Sequence, residues 1–418
     1  MFKRFPLLSA VLFSLVLAAC GGGSSQSDTV ATSSGMKYSQ SLSASQSESS
    51  SGASTQSSRD AAAVSGTSGK DHGKGPSQAR FNAPAGIAFD TAGNLYVADS
   101  LNYTVRKIST NGMVTTLAGT PGEQGSTDGT GAAARFFQLR GLAVDQSGNI
   151  YVADGSVVRK ITPAGEVSTL AGVQGQFGNA DGQGSAARFR RPTGIAVDVD
   201  RNVYVTDFFE QTIRKITPGG RVSTLAGGNS TGSTQIAFDA VGTAARFMGP
   251  NGLTIDASGN LFVTDVAGVG AALPITGSTL IRKVDRITGA VVTVAGNLGL
   301  ANTPTIPTGT PVAEFEDAFG IVVDSSGNIF VADHLNGGNR IRKVTPSGEI
   351  STVAEDDSRS HFLYDLALDA KGSLFASDLR DHVIVRVTRE GDFKVVAGKR
   401  GEAGSADGAT GQGSLCQD

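Results

Sequence analysis

The sequence is poor in several residue types, and each shortage excludes a class of protein. It has no tryptophan, two cysteines and four histidines among 418 residues, and only 17% of its residues are charged. The average charged fraction is about 25%. Two cysteines exclude a scaffold held together by disulfides. A formal net charge of −3 gives no basic field, which argues against a nucleic-acid partner.

Glycine is abundant instead, at 56 residues, which is roughly twice the usual share. The glycines follow no triplet period, which excludes collagen, and a hydrophobic fraction of 39% is too high for a wholly disordered chain. Short apolar strands separated by many turns account for both values.

Residues 1–19 have the features of an export signal. A basic head, Lys3 and Arg4, precedes an apolar run over residues 5–19. The run is too short to span a bilayer as a helix, and its length is typical of a signal-peptide core.

The apolar run ends in Leu-Ala-Ala-Cys at residues 17–20, which resembles the lipobox of bacterial lipoproteins. The resemblance implies cleavage before Cys20 and acylation of Cys20, so that lipid chains hold the protein on a membrane. Ordinary secretion, with Cys20 inside the leader, is the alternative. Gly21 stands in place of a retention aspartate, which by resemblance to enterobacterial sorting favours the outer membrane. Cys416 is then a lone thiol.

Residues 20–77 differ in composition from the rest of the chain. They are rich in serine, glycine and glutamine and contain few apolar residues that could offset the entropy lost on folding. We expect a disordered, flexible tether here. The folded body is predicted over residues 78–418.

The folded body consists of six copies of one pattern. The first copy reads GIAFD at residues 86–90, GNLYVAD at 93–99, VRKI at 105–108 and VTTLAG at 114–119. Six aspartates end the first segment of successive copies: Asp90, Asp145, Asp198, Asp256, Asp324 and Asp369. Each copy has four strand-like segments separated by glycine-bearing turns. Four-stranded units repeated around a ring predict an all-β fold, a six-bladed β-propeller of antiparallel blades.

The sequence of the repeat resembles that of the NHL family, whose units read roughly Pro-x-Gly-Ile-Ala-Val-Asp, then Gly-Asn-Ile-Tyr-Val-Ala-Asp, then Arg. Residues 192–207, followed by Arg214, show this pattern almost letter for letter. The absence of tryptophan removes the rival WD40 family, whose blades carry a Trp-Asp signature. Blades five and six depart furthest from the pattern, for example at Glu355 and Val387.

The two ends of the propeller region share one connecting segment. We call the stretch between the last strand of one blade and the first strand of the next the insert; residues 180–189 are an example. Residues 406–408 repeat its first half, and residues 79–81 repeat its second half. We therefore expect the two ends to meet and close the ring.

Residues that recur in every blade are interpreted as scaffold, because one binding site would not need six copies. These are the second aspartates (Asp99, Asp154, Asp207, Asp265, Asp333, Asp378), the arginines (Arg106, Arg159, Arg214, Arg282, Arg342, Arg386) and the phenylalanines (Phe81, Phe136, Phe189, Phe247, Phe315, Phe362). We expect the charges to pair across strands and the rings to pack between blades.

Function is expected on the face of the ring that carries the inserts and the loops between the second and third strands, which we call the insert face. These loops vary from blade to blade, and variable loops on a rigid scaffold are where binding sites are usually built. The candidate residues are Tyr103, Phe208, Phe209, Glu210, His334, Asn336, Asp381 and His382. The three aromatic residues either anchor a partner or cover the insert beside them.

The sequence leaves two metal hypotheses open. His334, His361 and His382 all map to the insert side of blades five and six, where three imidazoles could hold zinc; unconnected surface histidines are the alternative. The Asp-Gly pairs of the inserts, Asp128-Gly129 among them, could suggest calcium, but they lack the alternating ligands of a calcium loop and favour turns.

The sequence thus indicates a membrane-anchored NHL-type propeller in the bacterial cell envelope that binds a protein, peptide or glycan. The alternative is a propeller lyase or lactonase-like hydrolase with a metal site at the channel mouth. No cofactor is required by the sequence. RNA binding, known for eukaryotic NHL proteins, fits neither the export signal nor the acidic balance.

Overall fold

A computed structural model describes residues 78–228, 237–266, 279–296, 315–335, 338–356, 362–411 and 415. The predicted leader and tether, and with them Cys20, lie outside the described residues, as do Asn336, His361 and Cys416. No helix among the described residues is long and apolar enough to cross a bilayer.

Each of the first three blades has four main strands. Blade one comprises β1 (Pro84–Phe89), β2 (Leu95–Asp99), β3 (Thr104–Ile108) and β4 (Met113–Ala118). Blade two comprises β6 (Leu139–Val144), β7 (Ile150–Asp154), β8 (Val157–Ile161) and β9 (Glu166–Gly172). Blade three comprises β11 (Pro192–Val197), β12 (Val203–Asp207), β13 (Thr212–Ile216) and β14 (Arg221–Gly227).

Blades four to six have the same order. Blade four comprises β15 (Pro250–Ile255), β16 (Asn260–Val266), β17 (Thr279–Asp285) and β18 (Val291–Ala295). Blade five comprises β19 (Asp317–Val323), β20 (Ile329–Leu335), β21 (Gly338–Val344) and β22 (Ile350–Asp356). Blade six comprises β23 (Leu363–Leu368), β24 (Leu374–Asp378), β25 (Val383–Val387) and β26 (Phe393–Gly398). The six-bladed β-propeller predicted from the repeats is confirmed.

Three inserts add a short fifth strand to the outer edge of a blade: β5 (Gly129–Thr130), β10 (Gly182–Gln183) and β27 (Gly408–Ala409). Short 3₁₀ turns occupy Ser100–Asn102, Gly131–Ala133, Gly184–Ala186 and Gly242–Ala244. The Asp-Gly pairs therefore begin edge strands, and their interpretation as turns is wrong. Strand pairing prevails there because each pair has the outer strand of its blade beside it.

The two ends of the propeller region meet as expected. Gly408 pairs with Val114 of β4, so a strand near the C-terminus completes the sheet of blade one. The Gln78 and Arg80 amides donate to the carbonyls of Ala409 and Ala406. The shared insert is thus rebuilt from both ends, and the prediction of ring closure is confirmed.

The recurring arginines are buried between two carboxylates. Arg106 is fully buried, 2.8 Å from Asp99 and 2.6 Å from Asp407 of the insert, and it lies 5.3 Å from the Phe81 ring. Asp407 also accepts hydrogen bonds from the amide and hydroxyl of Thr116. Arg159 and Arg282 make the same double pairing in blades two and four.

Blades five and six depart from that scheme. In blade five, Asp333 pairs with Arg340 at 2.9 Å, whereas Arg342 lies over the Phe315 ring. In blade six, Phe362 is half-buried, unlike the five other recurring phenylalanines, and it stacks on His334 at 4.2 Å. The scaffold interpretation is confirmed for the regular blades, and the two blades predicted as least regular are the ones that differ.

Candidate functional site at the mouth of the axial channel

The six innermost strands surround an axial cavity of about 230 Å³. Each inner strand contacts the inner strands of the two neighbouring blades, which closes the wall. One apolar residue per blade lines the middle of the cavity: Ile87, Leu142, Ile195, Leu253, Ile321 and Leu366. The middle of the cavity is therefore apolar.

A β-bulge interrupts every inner strand near the insert face. In blade two it falls between Leu139 and Leu142, so that Arg140 and Gly141 have no partner on the second strand. β-bulges change the direction of side chains at the rims of β-barrels and next to active sites. We call the first residue of each bulge its rim residue, and the rim residues are Ala85, Arg140, Thr193, Asn251, Phe319 and Tyr364. Thr193, Asn251, Phe319 and Tyr364 line the cavity directly. The rim residue differs in every blade.

The position after the rim residue is glycine in five blades because neighbouring inner strands approach closely there. A Cβ on Gly252 would lie 2.0 Å from the Phe319 carbonyl oxygen, and one on Gly194 would lie 2.2 Å from the Asn251 carbonyl oxygen. Such distances are far inside van der Waals contact. In blades one to five, the close approach of the strands thus leaves no room for a side chain at the glycine position.

Blade six places Asp365 where the others have glycine. Its Oδ2 accepts a hydrogen bond from the Ile87 amide of blade one at 3.0 Å, and its Oδ1 accepts one from the Leu366 amide at 2.9 Å. No cation among the described residues faces this carboxylate, and desolvation raises its pKa to about 7. Asp365 is thus an isolated carboxyl group on the wall of the axial cavity.

Two arginines lie at the mouth of the cavity. Arg140 is half-buried, its Nε is buried without a hydrogen-bond partner among the described residues, and it makes no ion pair there. Burial, together with the charge of Arg140, lowers the pKa of Arg191 to about 10, and Tyr364 acts in the opposite direction. Blades three and six face each other across the ring, so Arg191 and Tyr364 interact across the mouth. The mouth therefore carries concentrated positive charge.

Phe208 and Phe209 border the mouth on the side of blade three. Their rings meet edge to face at 5.3 Å, and the Arg191 guanidinium lies 5.0 Å and 5.1 Å from the two ring centres. Phe209 is 49% exposed, and Arg190 lies over its ring at 5.4 Å. Glu210 is 3.9 Å from Arg190. Phe208 and Phe209 thus form an aromatic surface bordered by cations, as expected for a binding anchor.

A second aromatic cluster borders the mouth at blades five and six. Phe319 stacks on Tyr364 at 5.9 Å and contacts both Phe362 and His334. The His334 Nε2 lies 2.7 Å from the Leu363 carbonyl oxygen, which assigns a proton to that nitrogen. Desolvation lowers the pKa of His334 to about 4, so the imidazole is neutral at physiological pH.

The other candidates have partners within the scaffold. Tyr103 is half-buried, adopts a left-handed conformation and packs on the core between blades one and two, so it covers the insert. Asp381 is buried and pairs with Arg400 at 2.7 Å. His382 accepts a hydrogen bond from the Ala83 amide through Nδ1 at 3.0 Å. Asp381 and His382 therefore support blade six and its contact with blade one.

The structure brings no metal-ligating group together within its described parts. No three His, Cys, Asp or Glu side chains are arranged there to hold an ion, and the insert aspartates Asp128, Asp181 and Asp407 bind arginines instead. Because His361 lies outside the described residues, the three-histidine site stays a prediction.

Sequence reasoning missed Arg140, Arg191, Tyr364 and Asp365. The repeats held a signal for Arg140 and Tyr364, and none for Arg191 and Asp365. When the six copies are aligned, the residue before the glycine that five of them share is the one inner-strand position that differs every time. This comparison is informative only when the fold is known, because the closed ring shows that these six positions lie around one rim.

The fold and the rim define a class: a six-bladed β-propeller with a small axial cavity between its innermost strands. Residues 176–370 match the family model of the teneurin NHL domain. This match and the sequence of the repeats show that the folded body is an NHL-repeat β-propeller.

Relatives with this fold are long proteins. Protein SUPPRESSOR OF QUENCHING 1, chloroplastic, of Arabidopsis thaliana is 29% identical over 53% of this chain and 21% of its own length. The human NHL repeat-containing protein 2 is 28% identical over 48% of this chain and 32% of its own length. The chain thus spans about a fifth to a third of these relatives.

Among solved structures, a virginiamycin B lyase from Staphylococcus aureus covers 75% of this chain and 84% of its own. The identity is 15% and the TM-score is 0.46. At these values the alignment supports no assignment of activity.

Proposed function

We propose that this protein is a lipid-anchored binding propeller of the bacterial cell envelope. In this proposal Cys20 carries the lipid, the membrane is the outer membrane, and residues 20–77 hold the ring away from it. The insert face then presents the channel mouth to a protein, peptide or glycan. The anchor rests on the resemblance of residues 17–20 to a lipobox.

The observation that carries the binding role is the exposed aromatic and arginine surface at the mouth. Phe209 is 49% exposed and lies between Arg190 and Arg191. In blades one and four, by contrast, the recurring arginines are buried against aspartates of their own blade and insert. The mouth therefore differs from the scaffold in offering exposed aromatic area and cations to a partner.

The alternative, a lyase or lactonase-like hydrolase with a metal at the channel mouth, stays a prediction. It needs titratable groups that converge on the cavity. Asp365 is the carboxylate that the described residues place on the cavity wall, and it lies one level below the rim. A single carboxyl group cannot act as general acid, general base and metal ligand together, and the enzyme alternative requires all three roles.

The binding role can be tested with arrays of envelope peptides and glycans probed with the purified full chain. We expect a defined subset to bind, and we expect Phe209→Ala to weaken that binding about tenfold or more, because buried aromatic anchors dominate interface energies. Ile287→Ala is the matched control, since Ile287 is 71% exposed and lies in a turn between third and fourth strands on the opposite face. A ligand that depends on Ile287 and not on Phe209 would refute the proposed face.

A further inference from the structure

Arg140 is a cation without a counterion in the described structure. It is half-buried at the rim, its Nε has no hydrogen-bond partner among the described residues, and no carboxylate of that part of the chain pairs with it. The five other rim residues are neutral: Ala85, Thr193, Asn251, Phe319 and Tyr364. A half-buried guanidinium loses hydration that only an anion or strong acceptor replaces well.

Arg191 brings a second guanidinium to the same place. Its plane lies against the Phe208 and Phe209 rings, and Arg140 is close enough to lower its pKa. Two like charges in a half-buried site repel each other, and an anion between them would remove that repulsion. Arginine pairs bind planar oxyanions through parallel N–H donors, which matches a carboxylate.

The cavity beneath the arginines limits the size and the polarity of the group to which the anion is attached. Its middle is lined by isoleucine and leucine side chains, which favour an apolar group. Its volume of about 230 Å³ is below the 300–1,000 Å³ or so that is usual for ligand pockets. The occupant is therefore small, such as one side chain or a short hydrocarbon body.

We propose that the channel mouth binds a carboxylate attached to a small apolar group. Arg140 and Arg191 hold the carboxylate at the rim, Phe208, Phe209 and Tyr364 surround it, and the apolar group enters the axial cavity. Two sources share this chemistry: a free small organic acid, and the C-terminal residue of a peptide. The inference rests on the proposed binding role of the insert face.

Calorimetric titration of the purified full chain tests the inference with two probes. The probes are 3-phenylpropionate and the peptide Gly-Gly-Ser-Gly-Phe with a free C-terminal carboxylate, each compared with its neutral amide. We expect at least one acid to bind about ten- to hundredfold more tightly than its amide, which is the usual effect of a charged hydrogen bond. Binding of both acids indicates a free-acid ligand, and binding of the peptide alone indicates a chain end.

Arg140→Met should remove the preference for the acid, and Arg221→Met is its matched control. Arg221 is exposed at the start of β14, on the opposite face. The acid–amide comparison uses the unchanged protein, so it stands even if Arg140→Met fails to fold. Equal affinity for acid and amide, no binding of either acid up to millimolar concentration, or full binding by folded Arg140→Met would overturn the inference. Phe209-dependent binding of neutral array ligands would still support the proposed function.

Discussion

At the scale of single residues, Asp365 shows how one blade accommodates a side chain that the other five exclude. In blades one to five the bulge spans two residues, and the glycine has no partner on the second strand. In blade six the bulge spans only Tyr364, and Asp365 pairs with Ser377. The changed register leaves room for a Cβ and directs the carboxylate to the Ile87 amide of the next blade.

The raised pKa of Asp365 predicts a pH-dependent stability. Its pKa is about 7 in the folded protein against a usual value of 3.8. Between these values the folded protein keeps a proton that the unfolded chain has released, so the free energy of unfolding falls as the pH rises from about 4 to 7. Asp365→Asn cannot ionise and should melt roughly 2–5 °C above the natural protein at pH 8.

The difference in melting temperature between Asp365→Asn and the natural protein should shrink toward zero near pH 4. Burial also raises the pKa of Asp99 and of Asp207 to about 6, but those groups titrate in both proteins and cancel in the difference. A difference that stays constant from pH 4 to pH 8, measured by thermal unfolding, would contradict the assignment.

Residue roles could be predicted from sequence where they recur and not where they are unique. The pairing of Asp99 with Arg106 followed from its repetition. The part played by Asp128, which binds both Arg159 and Thr169, did not, because Asp-Gly is common in turns and nothing local reveals the neighbouring strand. Arg140 and Asp365 each occur in one blade alone, so the repeated pattern assigned no role to either side chain.

At the scale of elements, the inserts act as edge strands that protect the outer side of a blade. β5, β10 and β27 each pair with the fourth strand of their blade. Their aspartates then reach the buried arginine, as Asp181 reaches Arg214 at 2.7 Å. Strand segments and their order were predictable from apolar periodicity, whereas these two-residue strands are too short to leave such a pattern.

Deletion of residues 399–418 should destabilise the ring because it removes β27 and the Asp407 partner of Arg106. The β4 edge would be exposed, and Arg106 would be left with Asp99 alone. We expect the melting temperature to fall by about 5 °C or more, or aggregation through the open edge. Deletion of residues 416–418 is the control, since it keeps β27 and the buried Leu415. Identical melting of both truncated proteins would refute this role of β27.

At the scale of the whole molecule, the leader predicts where the ring resides. Metabolic labelling with palmitate should mark the natural protein and not Cys20→Ala, because the lipid is attached at that thiol in lipoproteins. Cys20→Ala should also move from the membrane fraction to the soluble fraction. Cys416→Ala is the matched control and should keep both label and membrane association. A natural protein that takes up no label and stays soluble would contradict the anchor.

The ring was predictable from sequence and the site only in part, for a topological reason. Six copies of one pattern imply a closed ring, and the variable loops include Phe208 and Phe209, which border the mouth. That the insert face carries the function stays a prediction. The rim is assembled from six distant segments. The chemistry of the rim depends on which residues face each other across the axis, as Arg191 and Tyr364 do. The order of residues along the chain does not show which positions meet in this way.

The closing strand also sets a relation between synthesis and folding. The sheet that begins at Pro84 is completed only by Gly408 and Ala409, so the first blade to leave the ribosome is the last to be finished. Until residue 409 is available, the growing chain carries an unpaired strand edge, and such edges invite association with other chains. A protein built this way gains its final strand pairing only after nearly all of its chain has been made.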